Sequence, residues 1–232
     1  QALLANVRYI TIDGFEFKDL YSRAIAVNQL GDTNWLIRRN HIHHIGRICT
    51  DTDSGIVGIR LGSGADNAII EGNRIHDIGR LAPAEQGCSP ATSFYQNHDH
   101  GLYNSGTPNV IVRNNIFYNC NRGWAIHSFD GPDVVGLKVL NNTFAFENPY
   151  RQGHILVFNN HTNCEFSNNI FYDPILESLT FGPYVFSGNV VRNNITFGAV
   201  ITTTNPASGV TYSGNIDNTD PLLVDVSVND FH

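Results

Sequence analysis

Residues 110–117 read VIVRNNIF, and the pattern apolar, any, apolar, any, Asn or Gly, Asn, any, apolar returns along the chain. It recurs as WLIRRNHI (35–42), AIIEGNRI (68–75), LKVLNNTF (137–144), CEFSNNIF (164–171) and VVRNNITF (190–197). YITIDGFEF (9–17) is a divergent first copy and VTYSGNID (210–217) a divergent last one. With the second Asn as marker, the series runs Phe15, Asn40, Asn73, Asn115, Asn142, Asn169, Asn194, Asn215. The spacings are 25, 33, 42, 27, 27, 25 and 21. Short alternating runs mean strands, and a period in the mid-twenties means one turn of a β-solenoid. The LxxLxL pattern of leucine-rich repeats is absent, and so is the 3.6-residue period of helical repeats. Each coil then holds about three short strands, and eight coils stacked at roughly 4.8 Å span about 38 Å.

Stacking puts equivalent residues directly above one another. A buried Asn at a bend can hydrogen-bond the Asn above and below it, and Asn tolerates left-handed backbone. Phe15 in the first copy fits a cap. Two residues after the marker, Phe17, Ile42, Ile75, Phe117, Phe144 and Phe171 form an inward apolar column. Five and three before it, Val110/Val112, Leu137/Val139 and Cys164/Phe166 also point inward.

Composition agrees. There are 28 Asn but only Lys18 and Lys138 as lysines, and Asn, Gly and β-branched residues disfavour helices. The net charge is -7, from 14 Lys+Arg against 21 Asp+Glu, which argues against a nucleic-acid partner. No apolar run approaches the ~20 residues of a membrane helix, so no membrane insertion is expected. The chain lacks Met and opens at Gln1, as expected if its start lies upstream and a signal peptide has been removed. The expected setting is secreted or cell-surface.

The Asn-centred phrase, repeated over nearly the whole chain, resembles the right-handed parallel β-helix family. That family includes pectate lyases, polygalacturonases, alginate lyases and mannuronan epimerases. The resemblance implies an all-β, single-stranded right-handed parallel β-helix of about eight coils. It speaks to the fold far more than to the chemistry. The tail DNTDPLLVDVSVNDFH resembles the closing segment of such bacterial domains and stops early. The expectation is therefore one domain over 1–232, truncated at one or both ends.

Cys120 falls in the column of Ile45 and Ile78, and Cys164 in that of Val110 and Leu137, so both read as buried hydrophobes. Cys49 and Cys88 lie in the long connections of neighbouring coils and are the candidate disulfide. No CxxC pair exists, which argues against a thiolate zinc site. Sequons begin at Asn141, Asn160 and Asn194. The first and last sit inside the repeated phrase, where a glycan would oppose stacking.

The spacings of 33 and 42 mark two insertions on adjacent coils, containing CTDTDSG (49–55) and GRLAPAEQGCSPATSFYQNHDH (79–100). Long loops in a compact domain are usually functional or disordered. Both end before the same strand column, so they could wall one groove. That column reads GIRLGSG (58–64), HGLYNSG (100–106), RGWAIHSFDG (122–131) and RQGHILVF (151–158). Alternation points Ile59, Leu61, Leu102, Trp124 and Ile126 inward, and Arg60, Tyr103, Ala125 and His127 outward. His98, Asp99, His100, Tyr103, Arg60, Arg122 and His127 are thereby expected on one outer face. Arg60 or Arg122 could fork onto a sugar carboxylate. His98 or His100 could remove the neighbouring proton, and Tyr103 or a second His could protonate the glycosidic oxygen. That is the β-elimination of a polysaccharide lyase; return of the proton to the opposite face is epimerisation. The expected partner is an acidic, uronate-containing polysaccharide. The rival readings are a non-catalytic carbohydrate-binding or structural surface solenoid, and polar residues that merely bond backbone.

The HDHG stretch is similar to the His-containing Gly motif of polygalacturonases. Their NTD and paired-Asp motifs are missing, so two-carboxylate hydrolysis lacks its residues. Mannuronan epimerases carry DPHD, which Asn97-His98-Asp99-His100 matches loosely. Calcium-dependent pectate lyases need an acidic cluster, for which Asp51, Asp53 and Asp99 are the Ca2+ candidates. A separate set, His41, His43 and His76, brings three imidazoles within reach of a zinc or copper ion. Such an outer ladder is more often polar surface, and on that reading added zinc leaves the melting temperature unchanged.

Overall fold

A computed structural model describes residues 7–27, 31–62, 64–89, 94–120, 122–146, 149, 153–202 and 207–231. Part of the second insertion (90–93), Arg151 and Gln152 of RQGHILVF, and His232 of the tail lie outside them. The described chain is a parallel β-helix. Its first sheet has eight strands, from Thr11–Asp13 to Val210–Ser213, and its second has seven, from Glu16–Lys18 to Ile195–Phe197. The third has six, Arg23–Val27, Val57–Leu61, His100–Asn104, Ile126–Phe129, Ile155–Phe158 and Leu179–Phe181. A minor sheet of three two-residue strands fills a corner. Every named strand pair is parallel and one coil apart, as in Ile111↔Lys138 and Phe117↔Phe144. Among the described residues the helical turns are three short 3-10 turns.

The repeated phrase spans the bend between the first two sheets, and its two polar positions do different work. The position before the marker takes the left-handed conformation, with φ of 55, 54, 56 and 53° at Asn114, Asn141, Asn168 and Asn193 and 75, 62 and 63° at Gly14, Gly72 and Gly214. Only Gly, Asn and Asp enter that region cheaply, which is why Gly or Asn holds this position in every copy but one, where Arg39 takes φ 52°. The marker itself is the buried one, so left-handed tolerance belongs to its neighbour. Asn115 Nδ2 donates to Ile70 O at 2.9 Å and to Asn142 Oδ1 at 3.0 Å, and its backbone N–H donates to the same oxygen. The bonding repeats from Asn40 through Asn194. At the open end Asn40 Oδ1 accepts the Phe15 N–H. Each buried amide is thus met on both sides, which removes the cost of burying it.

The interior is a continuous apolar column containing Ile42, Ile75, Phe117, Phe144 and Phe171. Phe117, Phe144 and Phe171 stack with centroids 5.2 and 5.0 Å apart. Cys120 and Cys164 are buried and unpaired, and burial raises both thiol pKa values, that of Cys164 to about 11. Cys49 and Cys88 form the disulfide. The stacking objection to a glycan holds for Asn194, which is buried, and not for Asn141, which is exposed. Downstream of the last coil, Phe231 folds back onto Tyr118 and Phe146 of the second sheet.

Candidate functional site

The outer face of the third sheet carries a groove of about 660 Å³. Register builds its floor, since Arg60 pairs with Tyr103, Tyr103 with His127 and His127 with Leu156 in successive coils. Of the residues singled out from sequence, Arg60, His98, His100, Tyr103 and His127 line it, with Asp53 on the rim. Sequence reasoning missed Arg23, Trp124, Phe129 and Phe158, which line it too.

Trp124 escaped because alternation fails at the corner entering this sheet. There Ala125 and Ile126 both belong to the core, and Trp124 turns outward. The same double step occurs at Gly58–Ile59 and Gly101–Leu102. A Cβ on Gly101 would lie 2.7 Å from Ala125 O and 3.0 Å from both Cys120 Sγ and Phe117 Cδ1. The column of Gly58, Gly101 and Ala125 was the available signal for a tight corner. Arg23 was legible too, because SRAIAV (22–27) aligns Ile25 with Ile59 in the same register.

Two of the expected residues do structural work instead. Asp99 is fully buried. Its carboxylate accepts from Arg80 Nε at 2.9 Å, Arg80 Nη2 at 2.8 Å, and the backbone N–H groups of Arg80 and Ile56. Arg80 also donates to Thr52 O and Ser54 O. This buried pair rivets the two insertions together, and the Cys49–Cys88 disulfide closes them covalently. Arg122 is also buried. Its guanidinium meets Glu85, which Arg47 contacts as well, and Arg80 O, so it braces the second insertion rather than the groove. The three carboxylates offered for calcium do not gather. Asp99 is occupied by Arg80, while Asp51 and Asp53 are exposed on the first insertion.

Hydrogen bonding assigns the imidazole tautomers. His100 Nδ1 accepts the Trp124 N–H at 3.1 Å, which places its proton on Nε2, 3.1 Å from His127 Nδ1. His127 therefore carries its proton on Nε2, which has no partner among the described residues. Burial lowers both pKa values, that of His127 to about 3, with the His98 charge adding to it. Both rings are neutral at pH 7, and His100 has no nitrogen left for a substrate. His98 is the more accessible imidazole, its side chain 33% exposed. Its Nδ1 lies 3.2 Å from Asp53 O, so Nδ1–H donates there and Nε2 is the ring nitrogen left for a substrate. The Tyr103 phenol is pushed up to about 12 by burial and by Asp130, with Arg60 opposing, and it keeps its proton at neutral pH.

The groove cations are unusual in their company. Arg23 and Arg60 form no ion pair among the described residues, and the Nε of each is buried without a hydrogen-bond partner. Burial, then the Arg60 charge, lowers the Arg23 pKa. The Arg60 guanidinium lies 5.9 Å from the Tyr103 ring centroid, a cation–π contact. A Ser128–His161 pair at 2.8 Å lies nearby in sequence, but both residues are buried and the pair is no accessible nucleophile.

The family described as "Right handed beta helix region" matches residues 2–174. The fold is similar to the solved alginate lyase from Paenibacillus sp. str. FPU-7, with TM-score 0.50 and 16% identity over 91% of this chain and 66% of that one. It is also similar to the Streptococcus pneumoniae surface protein and adhesin PfbA, with TM-score 0.54 and 16% identity over 90% of this chain and 47% of that one. The chain thus spans less than two thirds of the length of either. At such identity the likeness is one of fold. No curated protein matches the sequence. No helix among the described residues is long and apolar enough to cross a membrane.

Proposed function

We propose, for a chain that belongs to the right-handed β-helix family, that its groove binds an acidic, uronate-containing polysaccharide and acts on it as a lyase or epimerase. The observation that carries this reading is the pair Arg23 and Arg60, two groove-lining cations that form no ion pair among the described residues of an acidic protein. Like charges held together and partly desolvated are costly unless an anion arrives. A uronate carboxylate is such an anion, and guanidinium is the side chain that meets it bidentately. Tyr103, Trp124, Phe129 and Phe158 offer aromatic faces to the apolar C–H faces of the sugar rings.

The chemistry follows from the tautomers. His98 Nε2, with its lone pair, takes the proton from the carbon next to the carboxylate. The charge that develops on the carboxylate is met by the Arg23 and Arg60 guanidinium groups. In the lyase the bonding pair forms a carbon–carbon double bond, the glycosidic C–O bond breaks, and Tyr103 protonates the leaving oxygen. In the epimerase no C–O bond breaks, and a proton returns to the opposite face of the same carbon. An extracellular or cell-surface setting suits both the polymer and the disulfide.

The rival reading is binding without turnover, which the shortage of accessible bases favours: His98 alone serves. A screen of alginate, pectate and glycosaminoglycans for the ultraviolet absorbance of an unsaturated uronate tests the lyase. Solvent deuterium entering the product, read by NMR, tests the epimerase. Saturable binding with neither signal supports the non-catalytic reading, and no binding by any polyuronate refutes the proposal.

A further inference from the structure

On the second sheet, away from the groove, His41, His43 and His76 each offer a ligand atom, and these atoms all lie within 4.8 Å of one another. Their placement follows from the fold. His41 and His43 are two apart on the strand His41–Ile45 and share its outer face, and register sets His76 beside His43 one coil on. The rings pack closely, His41 on His43 with centroids 4.1 Å apart and His43 on His76 at 5.0 Å. On its far side His76 stacks on Tyr118 at 4.3 Å, and the Tyr118 hydroxyl is held by Arg74.

The donors are oriented from behind. His76 Nδ1 lies 2.6 Å from Asp77 Oδ2, and Asn119 steadies the other oxygen of that carboxylate. Asp77 can only accept, so His76 holds its proton on Nδ1 and turns the Nε2 lone pair outward. That lone pair meets His41 Nε2 at 2.8 Å. Carboxylate, histidine and an outward lone pair form the arrangement that orients metal-binding imidazoles. A change of His41 tautomer, moving its proton from Nε2 to Nδ1, leaves two lone pairs facing each other. Tetrahedral coordination at about 2.0–2.1 Å sets ligand nitrogens roughly 3.4 Å apart. His41 and His76 therefore need to part by only about half an ångström, while His43 has to exchange a contact to His44 or Glu16 for the ion.

We propose that His41, His43 and His76 form a binding site for a divalent transition metal of the zinc class, oriented by Asp77 and joining two neighbouring coils. Imidazole nitrogens suit zinc, and their softness argues against calcium or magnesium. Glu16, 3.1 Å from His43 Nε2, is the nearby carboxylate for a further position.

The test uses the tag-free chain, stripped with a chelator and titrated with cobalt chloride followed by visible absorption and with zinc chloride followed by calorimetry. The expected result is one equivalent of either ion, with the d–d bands of a four-coordinate site of three nitrogens and one oxygen for cobalt and a higher melting temperature with zinc. His43→Ala, at a partly exposed ring, abolishes the bands while circular dichroism stays unchanged. Asp77→Asn weakens zinc by about 10–100-fold. His98→Ala in the groove leaves metal binding intact. No cobalt band at ten equivalents, or a band that survives His43→Ala, overturns the proposal.

Discussion

A buried guanidinium is cheap only when an acceptor meets it, and the arginines of this chain divide on that point. Arg80 and Arg122 have Asp99 and Glu85, whereas Arg23 and Arg60 have no acid among the described residues. Removing one member of the first kind is expected to destabilise the fold, and removing one of the second is not. Arg60→Ala is therefore expected to leave the melting temperature level or slightly raised, while weakening a polyuronate by about 10-fold or more. A matching loss of stability would show that Arg60 serves the fold. The imidazoles divide in the same way. His98→Ala is expected to lower turnover by about 10²–10⁴-fold with little effect on binding, as befits a general base. Equal loss of affinity and rate would assign His98 to binding instead. The sequence made Arg60, Tyr103 and His127 legible because plain alternation from Ile59, Leu102 and Ile126 holds there. It hid Trp124, where two successive inward residues break the alternation. It hid the roles of His100 and Asp99 as well, because hydrogen bonds to the backbone leave no mark in a residue pattern.

Among the elements, the two insertions decide the groove. Irregular spacing exposed them in the sequence, and it also placed Cys49 opposite Cys88. The Arg80–Asp99 rivet was not legible, since two charges 19 residues apart in a loop look like solvated surface. Asp99 binds the Arg80 side chain and holds the Ile56 and Arg80 amides, so it fixes both insertions to the third sheet. Asp99→Ala strands a buried guanidinium and is expected to cost about 3–5 kcal/mol. Denaturant unfolding measures that cost, and hydrogen exchange at the Ile56 and Arg80 amides locates it. Unchanged protection at both amides would contradict the rivet.

Over the whole molecule, the repeated phrase gave away the fold because stacking demands the same residue at the same place in each coil. Asn142→Ala leaves the Asn115 amide and the Val112 carbonyl short of a partner and is expected to cost about 1–3 kcal/mol in denaturant. Acid should act on the molecule through its buried imidazoles. Folding lowers the pKa of His127 and His154 to about 3 and of His161 to about 4, chiefly by burial. Unfolded imidazoles take a proton near pH 6.5, so their contribution to stability is full above that pH. It falls as the pH drops towards 4, by up to about 1.4 kcal/mol per unit for each ring. Calorimetric melting between pH 7 and 4.5 checks this, and a flat profile there would mean that the rings are not buried as neutral groups.

The proposed groove of this acidic β-helix recognises uronate polymers by their carboxylates. The most direct test is calorimetric titration of the protein with a uronate oligosaccharide and with the matched oligosaccharide whose carboxylates are reduced to alcohols. Saturable binding of the first is expected, with weaker binding of the second and loss of that difference in Arg23→Ala/Arg60→Ala. Equal affinity for the two sugars, or a preference that survives the double substitution, would contradict it.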